Sequence, residues 1–287
     1  MAQLSRVAAN WRDYELIDSG DFEKLERFGP VLMVRPEPQA LWAKERPGAL
    51  WTDVNATYSR TGREGDWQIK KKTDSSWVIS WKELKFKIGM TSFKHTGLFP
   101  EQASNWEWLL ANIKPGMKVL NLFGYTGGAT IVASFAGAGE VVHVDSSRPM
   151  IAWGKENQKL SGLETRKIRW IEDDVSKFIA REIRRGNKYD IILMDPPAFG
   201  RGPEGEIWKF EEHLPRLVAD CAKLVNRETG HLLVNAYSLG YPALAVENMV
   251  RSNVPFVKNI ESVELTLKES GERGFELPTG VVIRASW

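Results

Sequence analysis

The chain has 287 residues, 43% hydrophobic and 26% charged, with 39 Lys and Arg against 37 Asp and Glu. This allows one large domain or two moderate ones, and the net charge of +2 gives no global basic field, although a local patch can still serve nucleic acid. The single cysteine, Cys221, excludes an internal disulfide and a cysteine-based metal cluster. The scattered His95, His143, His213 and His231 offer no metal-ligand pair at helical spacing, so no metal is expected. No apolar run approaches the roughly 18 residues that span a bilayer, and Met1 to Asp13 lacks a signal-peptide core, so the chain reads as cytoplasmic with no membrane partner.

In chain order, the first stretch is rich in tryptophan: Trp11, Trp42, Trp51, Trp67, Trp77 and Trp81 all precede residue 90. Trp77, Ile79 and Trp81 alternate with polar or smaller residues, and Leu84, Phe86 and Ile88 alternate with Lys85 and Lys87. Period-two patterning predicts half-buried strands, here paired as a hairpin around Lys82-Glu83. Residues 43–75, with Pro47, Gly48, Gly62 and Gly65 among many charges, read as long connections. Residues 1–99 are therefore expected to form a small β-rich N-terminal domain.

From residue 100 the pattern changes. Pro100 is suited to a first helical position, and Ala103, Trp106, Leu110 and Ile113 make one apolar face that ends at Pro115-Gly116. Apolar strands and amphipathic helices then alternate: strands at 119–122, 141–144, 168–171, 191–194 and 231–235, and helices at 129–136, 149–160, 175–183 and about 206–225. Short apolar strands alternating with helices predict a parallel sheet covered on both faces. Residues 261–268 and 281–286 read as a final strand pair whose linker is too short for a crossover helix, so they should be antiparallel. The expected fold over 100–287 is α/β, a Rossmann-like doubly wound sheet, mostly parallel with a C-terminal antiparallel hairpin.

In such a sheet the chemistry lies beyond the carboxyl ends of the strands. After the first strand comes Phe123-Gly124-Tyr125-Thr126-Gly127, a glycine-rich turn able to approach a cofactor, though it is not G-x-G-x-x-G. The second strand ends in Asp145, which can accept from both hydroxyls of an adenosine ribose; its alternative role is helix capping beside Ser146 and Ser147. Of Asp173 and Asp174 after the third strand, one suits an adenine amine and the other a helix cap, with Asp174 preferred for adenine. After the fourth strand, Asp195-Pro196-Pro197-Ala198-Phe199 combines a carboxylate, carbonyls beside residues that lack N–H groups, and a ring for stacking. Asp195, Pro196 and Phe199 are the expected catalytic residues.

Together with Lys94-His95-Thr96-Gly97-Leu98-Phe99-Pro100-Glu101-Gln102, these motifs occur in the order found in the S-adenosylmethionine (SAM)-dependent methyltransferases related to bacterial large-subunit ribosomal RNA base methyltransferases, which the chain resembles. The resemblance implies SAM as cofactor, with the segment containing Thr96 and Gly97 folding over it and Gln102 near its methionine end. It places Phe123, Gly124, Tyr125, Thr126 and Gly127 along the same site, Asp145 at the ribose, Asp174 or Asp173 at the adenine, and Asp195 between the methyl group and its acceptor. It also implies an RNA partner. Residues 1–99 leave little room for the extra RNA-binding module of ribosomal relatives. The stretch Asn235-Ala236-Tyr237-Ser238 lacks the cysteine that carbon-5 methylation of cytosine requires. Methylation of a nitrogen of an RNA base is therefore expected, with a protein or small-molecule acceptor, or a non-catalytic SAM- or RNA-binding module, as alternatives. A nicotinamide-dependent oxidoreductase is disfavoured by the turn, by Asp-Pro-Pro and by the terminal hairpin. Lys70, Lys71, Lys72, Lys82, Lys85, Lys87 and Lys94, and separately Arg181, Arg184, Arg185 and Lys188, are candidate phosphate-tracking surfaces, or simply solvated faces.

Overall fold

Period-two patterning organises the chain up to residue 90. In the computed structural model these residues form β1 (Gln3–Arg6), β2 (Tyr14–Gly20), β3 (Glu23–Phe28), β4 (Val31–Pro36), α1 (Gly48–Thr52), β5 (Ala56–Thr61), β6 (Glu64–Ile69), β7 (Ser76–Trp81) and β8 (Leu84–Gly89). The structure describes residues 3–6, 11–61, 64–91, 94–237 and 240–287. It divides into two units: residues 6–104 with 266–279, and residues 1–5 with 105–265 and 280–287.

In the N-terminal unit, β2 to β6 form one sheet in chain order, and β7 and β8 form a separate hairpin. The hairpin pairs Ile79 with Phe86 and Trp81 with Leu84 around Lys82, whose φ is +51°. Leu84, Phe86 and Ile88 are buried while Lys85 is exposed, the alternation that a one-sided sheet requires. The expected long connection over 43–75 is corrected: it contains α1, β5 and β6. Ala56 and Tyr58 of β5 are buried, and Tyr58 pairs with Trp67 of β6. Charged residues and glycines had hidden that alternation; Gly62 itself lies outside the described residues.

The interior of this unit contains charge. Glu26 is wholly buried, accepts from Tyr14 Oη at 2.8 Å and Arg35 Nε at 2.8 Å, and lies 3.8 Å from Lys24 Nζ. Burial alone would raise its carboxyl pKa; Arg35, Lys24 and the hydrogen bonds outweigh that and hold it below the usual range. Buried Asp18 accepts from the Arg46 N–H (2.8 Å), Trp51 Nε1 (3.0 Å) and Arg273 Nη2 (2.9 Å), and Arg273 also binds Glu269. Buried charges persist only where partners of this kind surround them.

The other unit carries α2 (Ala103–Asn112), which a 3-10 turn at Pro100–Gln102 precedes, then β9 (Lys118–Leu122), α3 (Gly128–Phe135), β10 (Glu140–Asp145), α4 (Arg148–Leu160), β11 (Ile168–Glu172), α5 (Val175–Arg184) and β12 (Ile191–Met194). There follow β13 (Phe199–Arg201), β14 (Ile207–Lys209), α6 (Phe210–Leu224), β15 (His231–Tyr237), α7 (Ala243–Asn253), β16 (Asn259–Lys268) and β17 (Glu276–Ser286). The large sheet has the order β1-β16-β17-β15-β12-β9-β10-β11. Strands β15, β12, β9, β10 and β11 are parallel, and β17 runs antiparallel to β15.

Side-chain alternation assigns the faces. Leu120, Val142, Ile192 and Leu232 join Phe178, Leu217, Cys221 and Val250 from α5, α6 and α7 in one apolar core. Asn121 and His143 point to the opposite face, where each contacts Thr130 of α3; on that face Trp108 of α2 lies 5.1 Å from His231. Helices thus cover both faces, the doubly wound arrangement the alternation predicted. Strand β9 has β10 on one side and β12 on the other, so the chain order reverses there and opens a crevice at the carboxyl edge.

In this unit, edge strand β1 and helix α7 went unread in the sequence, and one reading is corrected. The stretch expected to be helical from about residue 206 begins as hairpin β13–β14, pairing Phe199 with Lys209 and Arg201 with Ile207; the helix starts only at Phe210. Among the described residues no helix is long and apolar enough to cross a membrane, and no cluster of His, Cys, Asp or Glu could hold a metal.

Candidate functional site

The glycine-rich turn leaves β9 with two non-glycine residues in left-handed conformations, Phe123 (φ +56°) and Tyr125 (φ +50°), and Gly127 at +83°. Bulky residues adopt such angles only where their surroundings over-determine them. The support comes from beneath. A side chain on Gly124 would overlap the His143 imidazole, and one on Gly127 would meet Trp170 at 3.0 Å. His143 and Trp170 pack at 4.5 Å, and His143 Nδ1 lies 2.9 Å from Thr130 Oγ1, which also accepts from Asn121 Nδ2 at 2.9 Å. Burial pushes the His143 pKa down to about 3, so the ring is neutral. Thr126 is buried, and its carbonyl accepts from Asn157 Nδ2 at 2.9 Å.

Asp145, at the end of β10, closes the turn. One carboxylate oxygen accepts from the Tyr125 N–H and the other from the Ser147 N–H, both at 2.8 Å. Burial raises its pKa, with the Ser147, Tyr125 and Ser146 N–H groups opposing the rise. Ser147 occupies the N-cap of α4 without a side-chain capping bond, and its own N–H donates to Asp145. A carboxylate offers about four acceptor sites in all, so the group can still accept from ligand hydroxyls.

The expected division of labour between Asp173 and Asp174 is corrected. Asp173 is engaged by Arg181, and Asp174 caps α5 by accepting from the Lys177 N–H at 2.9 Å. Cap and adenine candidate are thus the same residue, and Asp174 Oδ2 is the oxygen left over. The second basic cluster precedes β12, as its sequence position requires. Arg184 and Arg185 end α5 at the opposite, amino edge of the sheet, Arg185 pairs with Glu182 at 2.9 Å, and Lys188 donates to the Lys223 carbonyl.

At the end of β12, Asp195 is half-buried, Pro196 buried and Phe199 55% exposed. The two proline carbonyls are not equivalent. Trp208 Nε1 donates to the Pro197 carbonyl at 2.8 Å and occupies one of its two lone pairs. Trp208 is buried and packs 4.8 Å from Phe123, linking the hairpin β13–β14 to the glycine-rich turn. Sequence reasoning missed Trp208 because it fell in a stretch read as helical; Pro203 and Gly205 ahead of Ile207-Trp208-Lys209 were the available turn signal. It also missed the supporting His143 and Trp170. Asn235 is buried at the end of β15, and Ser238 lies outside the described residues.

Thr96, Gly97 and Gln102 belong to the N-terminal unit. Thr96 is fully buried, its carbonyl accepts from the Gly89 N–H at 3.0 Å, and its hydroxyl has no partner among the described residues. Gly97 has φ +92°, and Gln102 is buried in the 3-10 turn. Burial, then Arg35, Lys94 and Lys24, push the neighbouring His95 to about 4.

A doubly wound sheet with a left-handed turn at its switch point, a carboxylate at the end of the neighbouring β10 and Asp-Pro-Pro at the end of β12 on the other side of β9 defines an α/β enzyme that binds a nucleoside-bearing cofactor. Residues 40–266 match the S-adenosylmethionine-dependent methyltransferase family, and the chain belongs to it. A SAM-dependent methyltransferase from Agrobacterium tumefaciens is 39% identical over 100% of this chain and 96% of that one, with a TM-score of 0.91. Ribosomal RNA large subunit methyltransferase K of Neisseria meningitidis is 29% identical over 71% of this chain, and methyltransferase K/L of Shewanella baltica 32% over 77%. The chain spans only 53% and 31% of those two proteins. A putative methyltransferase complexed with SAH shares the fold, with a TM-score of 0.74 at 15% identity.

Proposed function

We propose that this SAM-dependent methyltransferase methylates a nitrogen of an RNA base, ribosomal RNA being the substrate named for its relatives. The reading assigns the cofactor to the carboxyl ends of β9, β10 and β11, with Phe123, Gly124, Tyr125, Thr126 and Gly127 along it, Asp145 at the ribose and Asp174 at the adenine. The Asp145 carboxylate, exact in position and with lone pairs to spare, fits such a ligand. The resemblance adds Thr96, Gly97 and Gln102. Methyl transfer is assigned to residues 100–287.

When bound, SAM supplies an electrophilic methyl group. Asp195 and the Pro196 carbonyl accept from the acceptor amine and aim its lone pair; alignment of this kind can lower a barrier by roughly 7–11 kcal/mol. Asp195 also draws proton density from the nitrogen as it acquires charge. Phe199 offers an exposed face for a base, a contact worth about 1–3 kcal/mol. A base within a helix must first be flipped out.

The observation that carries the nitrogen assignment is the state of the only cysteine. Carbon-5 of a pyrimidine needs a thiolate, but Cys221 is fully buried in α6, within the core on the α5–α7 face, where burial raises its thiol pKa well above the usual range. The test is to incubate the protein and methyl-labelled SAM with lysate from cells lacking the gene, then digest with nuclease or protease. Label released by nuclease, in an N-methyl nucleoside, is expected. Label that follows protein would overturn the RNA substrate, and a 5-methyl pyrimidine would overturn the nitrogen.

A further inference from the structure

Beside Asp195 three side chains form a chain of hydrogen bonds with a fixed direction. Arg284 Nη2 on β17 donates to Asn105 Oδ1 at 3.0 Å, and Asn105 Nδ2 donates to Asn235 Oδ1 at 3.0 Å. The polarity follows from chemistry. A guanidinium has donors only, so Asn105 must turn its oxygen to Arg284 and its nitrogen to Asn235. Asn235 must then present its own oxygen, which leaves Nδ2 as the outer end of the relay. Asn105 and Asn235 are 1% and 4% exposed, and Glu261 lies 3.4 Å from Arg284 Nη1. No hydrogen bond among the described residues uses Asn235 Nδ2.

The position of that donor matters. Strands β12 and β15 pair Met194 with Val234, so Asp195 and Asn235 are the next residues on adjacent strands, which run about 4.8 Å apart. A carboxylate that accepts and an amide that donates therefore stand side by side at the carboxyl edge.

We propose that Asn235 donates a hydrogen bond to the methyl acceptor, taking a carbonyl oxygen or unprotonated ring nitrogen adjacent to the nitrogen held by Asp195. Asn105 and Arg284 are positioning residues that set the polarity of the amide. The pair reads an H–N–C=O or H–N–C=N edge and rejects an acceptor with a donor at the second position. This rests on the reading of Asp195 as the acceptor site.

The test uses the full chain, methyl-labelled SAM and total RNA from cells lacking the gene. Asn105→Asp is the decisive variant. Its carboxylate still accepts from Arg284 but cannot donate, so Asn235 must turn its Nδ2 inward and its oxygen toward the acceptor. Asn105→Asp and Asn235→Asp should each lower kcat/KM for RNA by roughly 10- to 100-fold. Arg284→Lys, which still donates to Asn105, should stay within about threefold. SAH affinity and Tm should be unchanged in all three. Wild-type transfer by Asn105→Asp would overturn the relay, and so would equal loss of SAH binding and transfer. If the wild type labels protein rather than RNA, the substrate reading fails separately, and the same rank order is expected, or refuted, on the labelled protein fraction.

Discussion

The two halves of the carboxyl edge are built on different principles. Over β9 and β10, a turn with strained backbone at Phe123 and Tyr125 rests on a buried neutral imidazole and an indole, and Asp145 clamps it through backbone N–H groups. Over β12 and β15, Asp195 is half-buried, Phe199 is exposed, and the β13–β14 hairpin is held through Trp208. The first half is preorganised by packing, which suits a ligand of constant shape. The second offers directional polar groups and one open ring, which suits an acceptor that comes and goes. A shared cofactor and a variable substrate make different demands on one sheet edge.

This contrast can be broken one half at a time. The largest effect is expected from Asp195→Ala, which should reduce methyl transfer by about a thousandfold or more through loss of alignment, as read by labelled-methyl incorporation at saturating SAM. Gly124→Ala attacks the other half. Its Cβ overlaps His143, so it should cost about 1–3 kcal/mol of stability and weaken SAH binding at least about tenfold. Urea unfolding and calorimetry read the two effects; unchanged SAH affinity would mean the turn does not need its support.

A pH series sharpens the same point. The His143 pKa is pushed down to about 3 from 6.5, so the neutral ring contributes stability that is full above pH 6.5 and declines as pH falls toward 3, where the unfolded chain binds a proton the folded site refuses. The slope approaches about 1.4 kcal/mol per pH unit in that window. His143→Gln should flatten that part of the urea-unfolding profile between pH 6.5 and 4.5; an identical profile would contradict the assignment. The smallest effect is expected from Phe199→Ala, a roughly tenfold rise in acceptor KM with SAH affinity unchanged, largely restored by Phe199→Tyr.

The sequence disclosed the strands of the parallel sheet, the terminal antiparallel strand and the residues at the strand ends, because each is encoded in local apolar periodicity or in a proline–glycine signature. What it concealed depends on distant partners. Nothing near Trp208 announces that it will occupy the Pro197 carbonyl, and His143 looks like any strand residue until Gly124 is laid on it. The return of residues 266–279 to the N-terminal unit is equally non-local: Arg273 meets Asp18 across the whole chain. Strands β5 and β6 were hidden differently, since exposed charges and glycines on one face obscured an alternation carried by residues such as Ala56 and Tyr58.

The most direct test of two separable halves is calorimetric titration of SAH into Asp145→Ala and Asp195→Ala, side by side with the wild type. The account predicts that Asp145→Ala loses at least about tenfold in affinity while Asp195→Ala binds within about twofold of wild type. Equal loss in both, or loss only in Asp195→Ala, would contradict it.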